Sequence, residues 1–125
     1  MRGYTLVELL ACLLIVALLS AIALPGYRGV VLRAHRNEAR LALLGIQAQQ
    51  ERDYIERHRY TDTLAATQSE GGRYELAITL SDDGQRYVAR AQPHSGSDQA
   101  QDSACTLLSI NESGDRTASS EACWR

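Results

Sequence analysis

The sequence contains no phenylalanine and no lysine, so all thirteen of its basic residues are arginine. No function follows from that bias. More is excluded by the patterns that are missing. His35, His58 and His94 are scattered, with no pairing at metal-ligand spacing. There is no nucleophile elbow and no phosphate loop, and nothing else in the residues supports an enzyme. Asp82-Asp83-Gly84 reads as a turn, because the rest of a calcium loop is absent. Asp98 and Asp102 fall in a polar loop and are read as solvated, not as an ion site. Neither a metal nor a cofactor is expected. The net charge of −2 leaves no overall footprint for nucleic acid. Arg57, Arg59, Arg73, Arg86 and Arg90 read as a solvated surface with balancing acids, so nucleic acid is not an expected partner.

What is present begins with an apolar run. Residues 9–24 carry no charge and one hydroxyl, Ser20. As a helix they cover roughly 24 Å, short of a bilayer core of about 30 Å. Extension back to Tyr4 gives about 31 Å and spans the core. It also takes Glu8 into the membrane zone, where a carboxylate costs about 2.5–3.5 kcal/mol and calls for a partner. A nearby α-amino group, of the same or a neighbouring chain, is the available cation. A secretory signal peptide fits less well, because the helical pattern continues beyond the apolar run.

Orientation is contested by two signals. Arg28, Arg33, Arg36 and Arg40 follow the apolar run and only Arg2 precedes it, which taken alone keeps the C-terminal part in the cytoplasm. Cys105 and Cys123, in a polar tail, read as a disulfide if that tail lies outside the reducing cytosol. Cys12 reads as an apolar thiol with no partner at its depth.

The segment Gly3-Tyr4-Thr5-Leu6-Val7-Glu8-Leu9, followed by the apolar run ending Ala21-Ile22-Ala23-Leu24-Pro25, resembles the class III signal of type IV prepilins. The ending Glu121-Ala122-Cys123-Trp124-Arg125 resembles PilE-type minor pilins. The resemblance implies a leader of residues 1–3, a transmembrane and assembly half at 4–27, and a soluble head at 28–125. It implies cleavage by a prepilin peptidase between Gly3 and Tyr4, methylation of Tyr4, and a Glu8 that pairs with the N-terminal amine of an adjacent subunit. Partners would be that peptidase, other pilin subunits and the inner-membrane assembly platform. The chain would lie in the inner membrane of a Gram-negative bacterium with its head periplasmic, then in an extracellular pilus. Its role would be that of a structural minor pilin supporting pilus biogenesis, adhesion and twitching motility. Two alternatives stay open: a type II secretion pseudopilin, and a tip pilin that binds DNA or another ligand.

The expected fold is α+β: a long kinked helix over about 4–58, packed on an antiparallel sheet of three to four strands, with a C-terminal Cys105–Cys123 disulfide. Pro25 removes the helix partner of the Ala21 carbonyl and places the kink. Over 28–58, Ala34, Leu41, Leu44, Ala48 and Ile55 recur as a one-faced stripe that is expected to pack the head, broadened by Leu43, Ile46 and Tyr54. Arg36, Glu38, Arg40, Gln47, Gln50, Asp53 and Arg57 are expected on the opposite, wet face. Strands are expected over 74–80, 86–92, 105–111 and, shorter, 116–124, with 93–103 a polar loop. Trp124 is expected to pack on the disulfide or the sheet.

Overall fold

A computed structural model describes residues 3–125; Met1 and Arg2 of the expected leader lie outside the described residues. Helix α1 spans Leu6–Arg57 and continues through Pro25. The chain divides into two compact units, Met1–Val31 and Leu32–Arg125.

Among its described residues the first unit is helical from Leu6, and its side chains up to Arg28 are exposed. Its start is fixed by a reciprocal capping box: Glu8 N donates to Thr5 Oγ1 at 3.3 Å, and Thr5 N donates to Glu8 Oε2 at 3.4 Å. Two backbone donors that a helix start leaves orphaned are thereby answered. Ser20, the lone hydroxyl of the run, returns its proton to the Val16 carbonyl at 2.7 Å. A Ser buried among apolar neighbours or lipid thus needs no external partner.

The second unit holds the rest of α1 and four strands: β1 (Tyr74–Leu80), β2 (Tyr87–Pro93), β3 (Leu108–Asn111) and β4 (Arg116–Ala118). They form one antiparallel sheet in the order β1-β2-β3-β4. The β1–β2 turn is held by Asp83, whose Oδ1 accepts from Ser81 Oγ and Gln85 N, and by Gly84 at φ 67°. The β3–β4 turn uses Asn111 Oδ1, which accepts from Ser113 N and Asp115 N, and Gly114 at φ 80°. Both turns place glycine where an L side chain is disfavoured. Helix α1 ends in a left-handed residue that is not glycine: His58 has φ 55°, its N–H reaches back to Tyr54 O, and its carbonyl accepts from Gln85 Nε2.

The core lies between α1 and the sheet. Ala39, Leu43 and Ile46 of the helix meet Tyr74, Tyr87, Ala89, Ala91, Leu108 and Ile110 of the strands. Tyr60 closes one end, 4.8 Å from the Tyr87 ring in an edge-on contact. The Cys105–Cys123 bond, with Cα atoms 5.7 Å apart, closes the C-terminal loop, and both cysteines are fully buried.

The face of α1 that packs is rotated from the expected stripe: Leu43 and Ile46, which broaden that stripe, are in the core, but the residues that define it are not. The buried positions are Arg36, Ala39, Leu43, Ile46 and Gln50, at helical steps of three and four. Ala34, Leu41, Leu44, Ala48 and Ile55 are exposed, Leu41 at 61% and Ile55 at 74%. The reason is that two polar residues are fully paired inside. Arg36 meets Asp102, and the Gln50 amide exchanges two hydrogen bonds with the backbone of Thr61 at 2.8 and 3.0 Å. A satisfied polar group is tolerated in a core. The 93–103 loop also departs from expectation. It holds a 3-10 turn, Asp98–Gln101, and buries Gln99 and Asp102 against α1. The last two strands, β3 and β4, are shorter than read, and Glu121–Trp124 forms a second 3-10 turn.

Candidate functional site

Two surfaces carry features that the fold alone does not use: the N-terminal helix and the arginines of the head. Each belongs to its own unit.

On the N-terminal helix, Gly3 and Tyr4 precede the first turn and are exposed, Tyr4 at 89%. A Cβ added at Gly3 would meet nothing within 4 Å. Glu8, in the first helical turn, is the sole acid of the unit, and among the described residues its hydrogen bonds are with Thr5. Residue spacing of the form Thr-x-x-Glu carries that cap, a signal that the reading of Glu8 as an assembly charge passed over. Beyond it, Leu6, Val7, Leu9, Leu10, Leu13, Leu14, Ile15, Val16, Leu18, Leu19, Ile22 and Leu24 are all more than half exposed. The most apolar 18-residue stretch has a mean hydropathy of 2.7 with none of it buried, long and apolar enough to cross a bilayer. Cys12 is a free thiol exposed on this surface.

In the head, the five arginines singled out by sequence do not form one face. Arg73 is consumed by Glu38, at 2.8 Å. That carboxylate also accepts from Ser69 Oγ, Gly71 N and Arg73 N, so it ties α1 to the start of β1. Burial alone would raise the Glu38 carboxyl, but the Ser69 and Arg73 bonds outweigh it and hold it below the usual range. Arg90 lies on the outer face of the sheet, 3.4 Å from Thr79 Oγ1. Arg57 and Arg59 line one cleft at the end of α1, and Arg86 lines another together with Arg90, after the β1–β2 turn. Arg59 lies over Gly84, where a Cβ would sit 3.5 Å from its Nε, and Tyr60 N bonds Gly84 O at 2.9 Å. A shallow cleft of about 350 Å³ is lined by Arg57, Arg59, Tyr60, Thr61, Asp62 and Leu80. A neighbouring one of about 340 Å³ includes Arg86, Arg90 and Glu112. Among the described residues, no carboxylate stands within ion-pair distance of Arg57, Arg59 or Arg86.

The remaining titratable groups serve packing. Burial pushes the hydroxyls of Tyr74 and Tyr87 up to about 12. His94 Nδ1 meets Glu75 at 2.6 Å on the rim of the sheet. Trp124 donates to the Thr117 carbonyl at 2.9 Å, with the Arg116 guanidinium 5.2 Å above its ring, so it packs on the sheet as expected. Among the described residues, no three His, Cys, Asp or Glu side chains gather where they could hold a metal ion.

Comparison with known proteins places these features together. Residues 1–24 match the prokaryotic N-terminal methylation motif. Residues 25–109 match the family described as type IV minor pilin ComP, DNA uptake sequence receptor. The chain is 32% identical over 81 residues to the type IV major pilin protein PilA of Myxococcus xanthus (strain DK1622), a stretch covering 62% of this chain and 37% of that protein. A solved type IV pilin from Shewanella oneidensis superposes with a TM-score of 0.58 at 22% identity, covering 69% of this chain and 90% of that one.

Proposed function

This chain belongs to the type IV pilins, in the family of the minor pilin ComP, and from that premise we propose that it is a minor subunit of a type IV pilus. The family and its fold are structural, not enzymatic. A prepilin peptidase cuts between Gly3 and Tyr4 and methylates the new Tyr4 amine. The helix over residues 4–24 then waits in the inner membrane, head outward, until it is drawn into the filament. The observation that carries this reading is the apolar stretch of α1 that no part of the chain covers. In water that surface would collapse or aggregate, so lipid or sister helices must take it. Adhesion and twitching follow from membership of the pilus.

Glu8 has a second state in this scheme. In the single chain it caps its own helix through Thr5. On assembly it turns to the Tyr4 amine of a neighbour, and a neutralised pair replaces a lone carboxylate in an apolar setting. Exposed Leu41, Leu44, Ala48 and Ile55 on the head portion of α1 supply further apolar surface for subunit contact. Mass spectrometry of the membrane form tests the processing step. The expected product begins at methylated Tyr4 and carries one disulfide; a chain that keeps Met1-Arg2-Gly3 overturns it.

A second reading adds a ligand. The 25–109 match is to a family described as a DNA uptake sequence receptor, and among the described residues Arg57 and Arg59 at the end of α1 and Arg86 after the β1–β2 turn have no carboxylate within ion-pair distance. Guanidinium groups so placed suit the phosphates of a duplex. This reading departs from the expectation drawn from net charge, which averages over the whole chain and does not report local cations. The full-length protein in detergent is expected to bind duplex DNA with an affinity that falls as salt rises. Arg59→Ala with Arg86→Ala is expected to flatten that salt dependence by about one unit of slope for each phosphate no longer neutralised. Binding indifferent to salt and to both substitutions would remove the reading. Co-purification with secretion components in place of pilus components would turn the assignment to a pseudopilin.

A further inference from the structure

Arg36 and Arg40 stand one turn apart on α1, and they reach the two ends of the disulfide loop separately. Arg36 is buried and bidentate to Asp102, with Nε to Oδ2 at 2.7 Å and Nη2 to Oδ1 at 2.8 Å. Gln99 holds the same carboxylate at 3.1 Å and anchors to the Leu32 carbonyl at 3.0 Å. The Asp102 carbonyl accepts from Cys105 N at 3.1 Å, so fixing Asp102 fixes the backbone that carries the first cysteine. On the other side, Arg40 Nε donates to the Cys123 carbonyl at 2.7 Å, and its Nη2 donates to the Arg125 carbonyl. Ser119 links the loop across its neck, with Thr106 N to its Oγ at 3.0 Å and its N to the Leu107 carbonyl at 3.1 Å. None of these bonds involves sulfur.

We propose that Arg36 and Arg40 are positioning residues for the Cys105–Cys123 bond: a helix-borne template that brings the two thiols to bonding distance before they are oxidised. The covalent bond then locks a geometry that already exists. A template matters because three cysteines allow three pairings, and Cys12 is free and exposed on the apolar helix. Two guanidinium groups on one rigid helix select the pair at the C-terminal loop. Closure with a small disulfide oxidant such as oxidised glutathione proceeds by exchange. One cysteine thiolate attacks the oxidant, forms a mixed disulfide and expels one glutathione thiolate. The second cysteine thiolate attacks the protein sulfur of that mixed disulfide and expels the other. The cysteines lose an electron pair that the glutathione gains, and the two protons pass to the departing thiolates. The template acts on the second, intramolecular step, whose rate depends on how often the two sulfurs meet.

The test uses the full-length chain in detergent, reduced and then exposed to oxidised glutathione, with free thiols trapped over time and pairings mapped by mass spectrometry. Arg36→Gln combined with Arg40→Gln is expected to slow ring closure about tenfold or more, to accumulate the singly glutathionylated chain and to raise pairs that include Cys12. Leu43→Ala destabilises the same core but removes none of the hydrogen bonds to either flank, and at a temperature where its reduced form keeps native circular dichroism it is expected to close at the wild-type rate. Equal closure in the arginine variant and the wild type would overturn the proposal, as would equal slowing by Leu43→Ala. If the arginine variant does not fold, the Cys105→Ser, Cys123→Ser chain decides the matter. Amides at 105 and 123, bonded to the Asp102 and Ser120 carbonyls, are expected to remain slow in hydrogen exchange. Their exchange at unprotected rates while β1 stays protected would contradict a pre-formed site.

Discussion

The two units of this chain solve the problem of burial in opposite ways. Among the described residues of the first unit the helix and the Thr5–Glu8 box pair most of the backbone locally, while almost every large side chain is left uncovered. In Leu32–Arg125 the side chains are covered, and even charged ones are taken inside once a partner is found. The first unit is locally complete and globally unfinished; it borrows its solvent from lipid or from other subunits. The second is finished by its own long-range pairs. A single helix serves both because α-helix formation asks nothing of the side chains beyond tolerable propensity, and side-chain chemistry then decides what surrounds each stretch.

Substitutions that leave a buried group unanswered should separate the two units most sharply. Arg36→Ala strands the Asp102 carboxylate in the head and is expected to destabilise it by about 3–5 kcal/mol, read from the midpoint of chemical unfolding. An equally drastic change in the first unit, Leu13→Ala, has no core to open and is expected to leave that midpoint in place.

Within the second unit, Leu43→Ala against Leu41→Ala tests which face of α1 packs. Leu43 is fully buried, and its truncation is expected to cost about 2–5 kcal/mol. Leu41 is exposed, and its truncation should stay within about 0.5 kcal/mol in the monomer. Reversed magnitudes would restore the apolar stripe as the core face.

Smaller again is a pH effect confined to the head. Tyr74 and Tyr87 have hydroxyls raised by burial from an ordinary 10 to about 12. Their neutral forms are favoured when folded, so the stabilisation is complete below pH 10 and is lost as the pH rises towards about 12. Alkaline titration followed by tyrosinate absorbance and circular dichroism should show these two ionising together with unfolding. Their ionisation near the ordinary value with the fold intact would mean the core is open to water.

The sequence was most legible where one residue type settles the outcome. Glycine and proline spacing, a period of two over Tyr74, Leu76, Ile78 and Leu80, and an uncharged run at the N-terminus fix the strands, turns and helix to within a few residues. The cysteine pair was equally plain. The core face of α1 was not legible, because Arg36 and Gln50 are core residues only by virtue of partners elsewhere in the fold. Asp102 lies 66 positions from Arg36 and Thr61 lies 11 from Gln50. Hydrophobic periodicity reports what a side chain prefers alone, and Leu41 and Ile55 prefer a cover that this single chain does not supply. The 93–103 loop was misjudged for the same reason: Asp102 looks solvated until Arg36 is placed opposite it. Of the five arginines named as candidates, only the fold removes Arg73 to Glu38 and divides the rest between a cleft with Arg57 and Arg59 and one with Arg86 and Arg90.

The claim on which the rest depends is that the uncovered helix is completed by other subunits, with Glu8 guiding the exchange. The direct measurement is to compare wild type and Glu8→Ala in the producing cell, quantifying the processed chain in the sheared filament fraction and in the membrane. The account predicts that both forms are cleaved after Gly3, that the wild type enters filaments, and that Glu8→Ala stays largely in the membrane. Equal amounts of the two in the filaments, or a wild-type chain found only in the membrane, would contradict it.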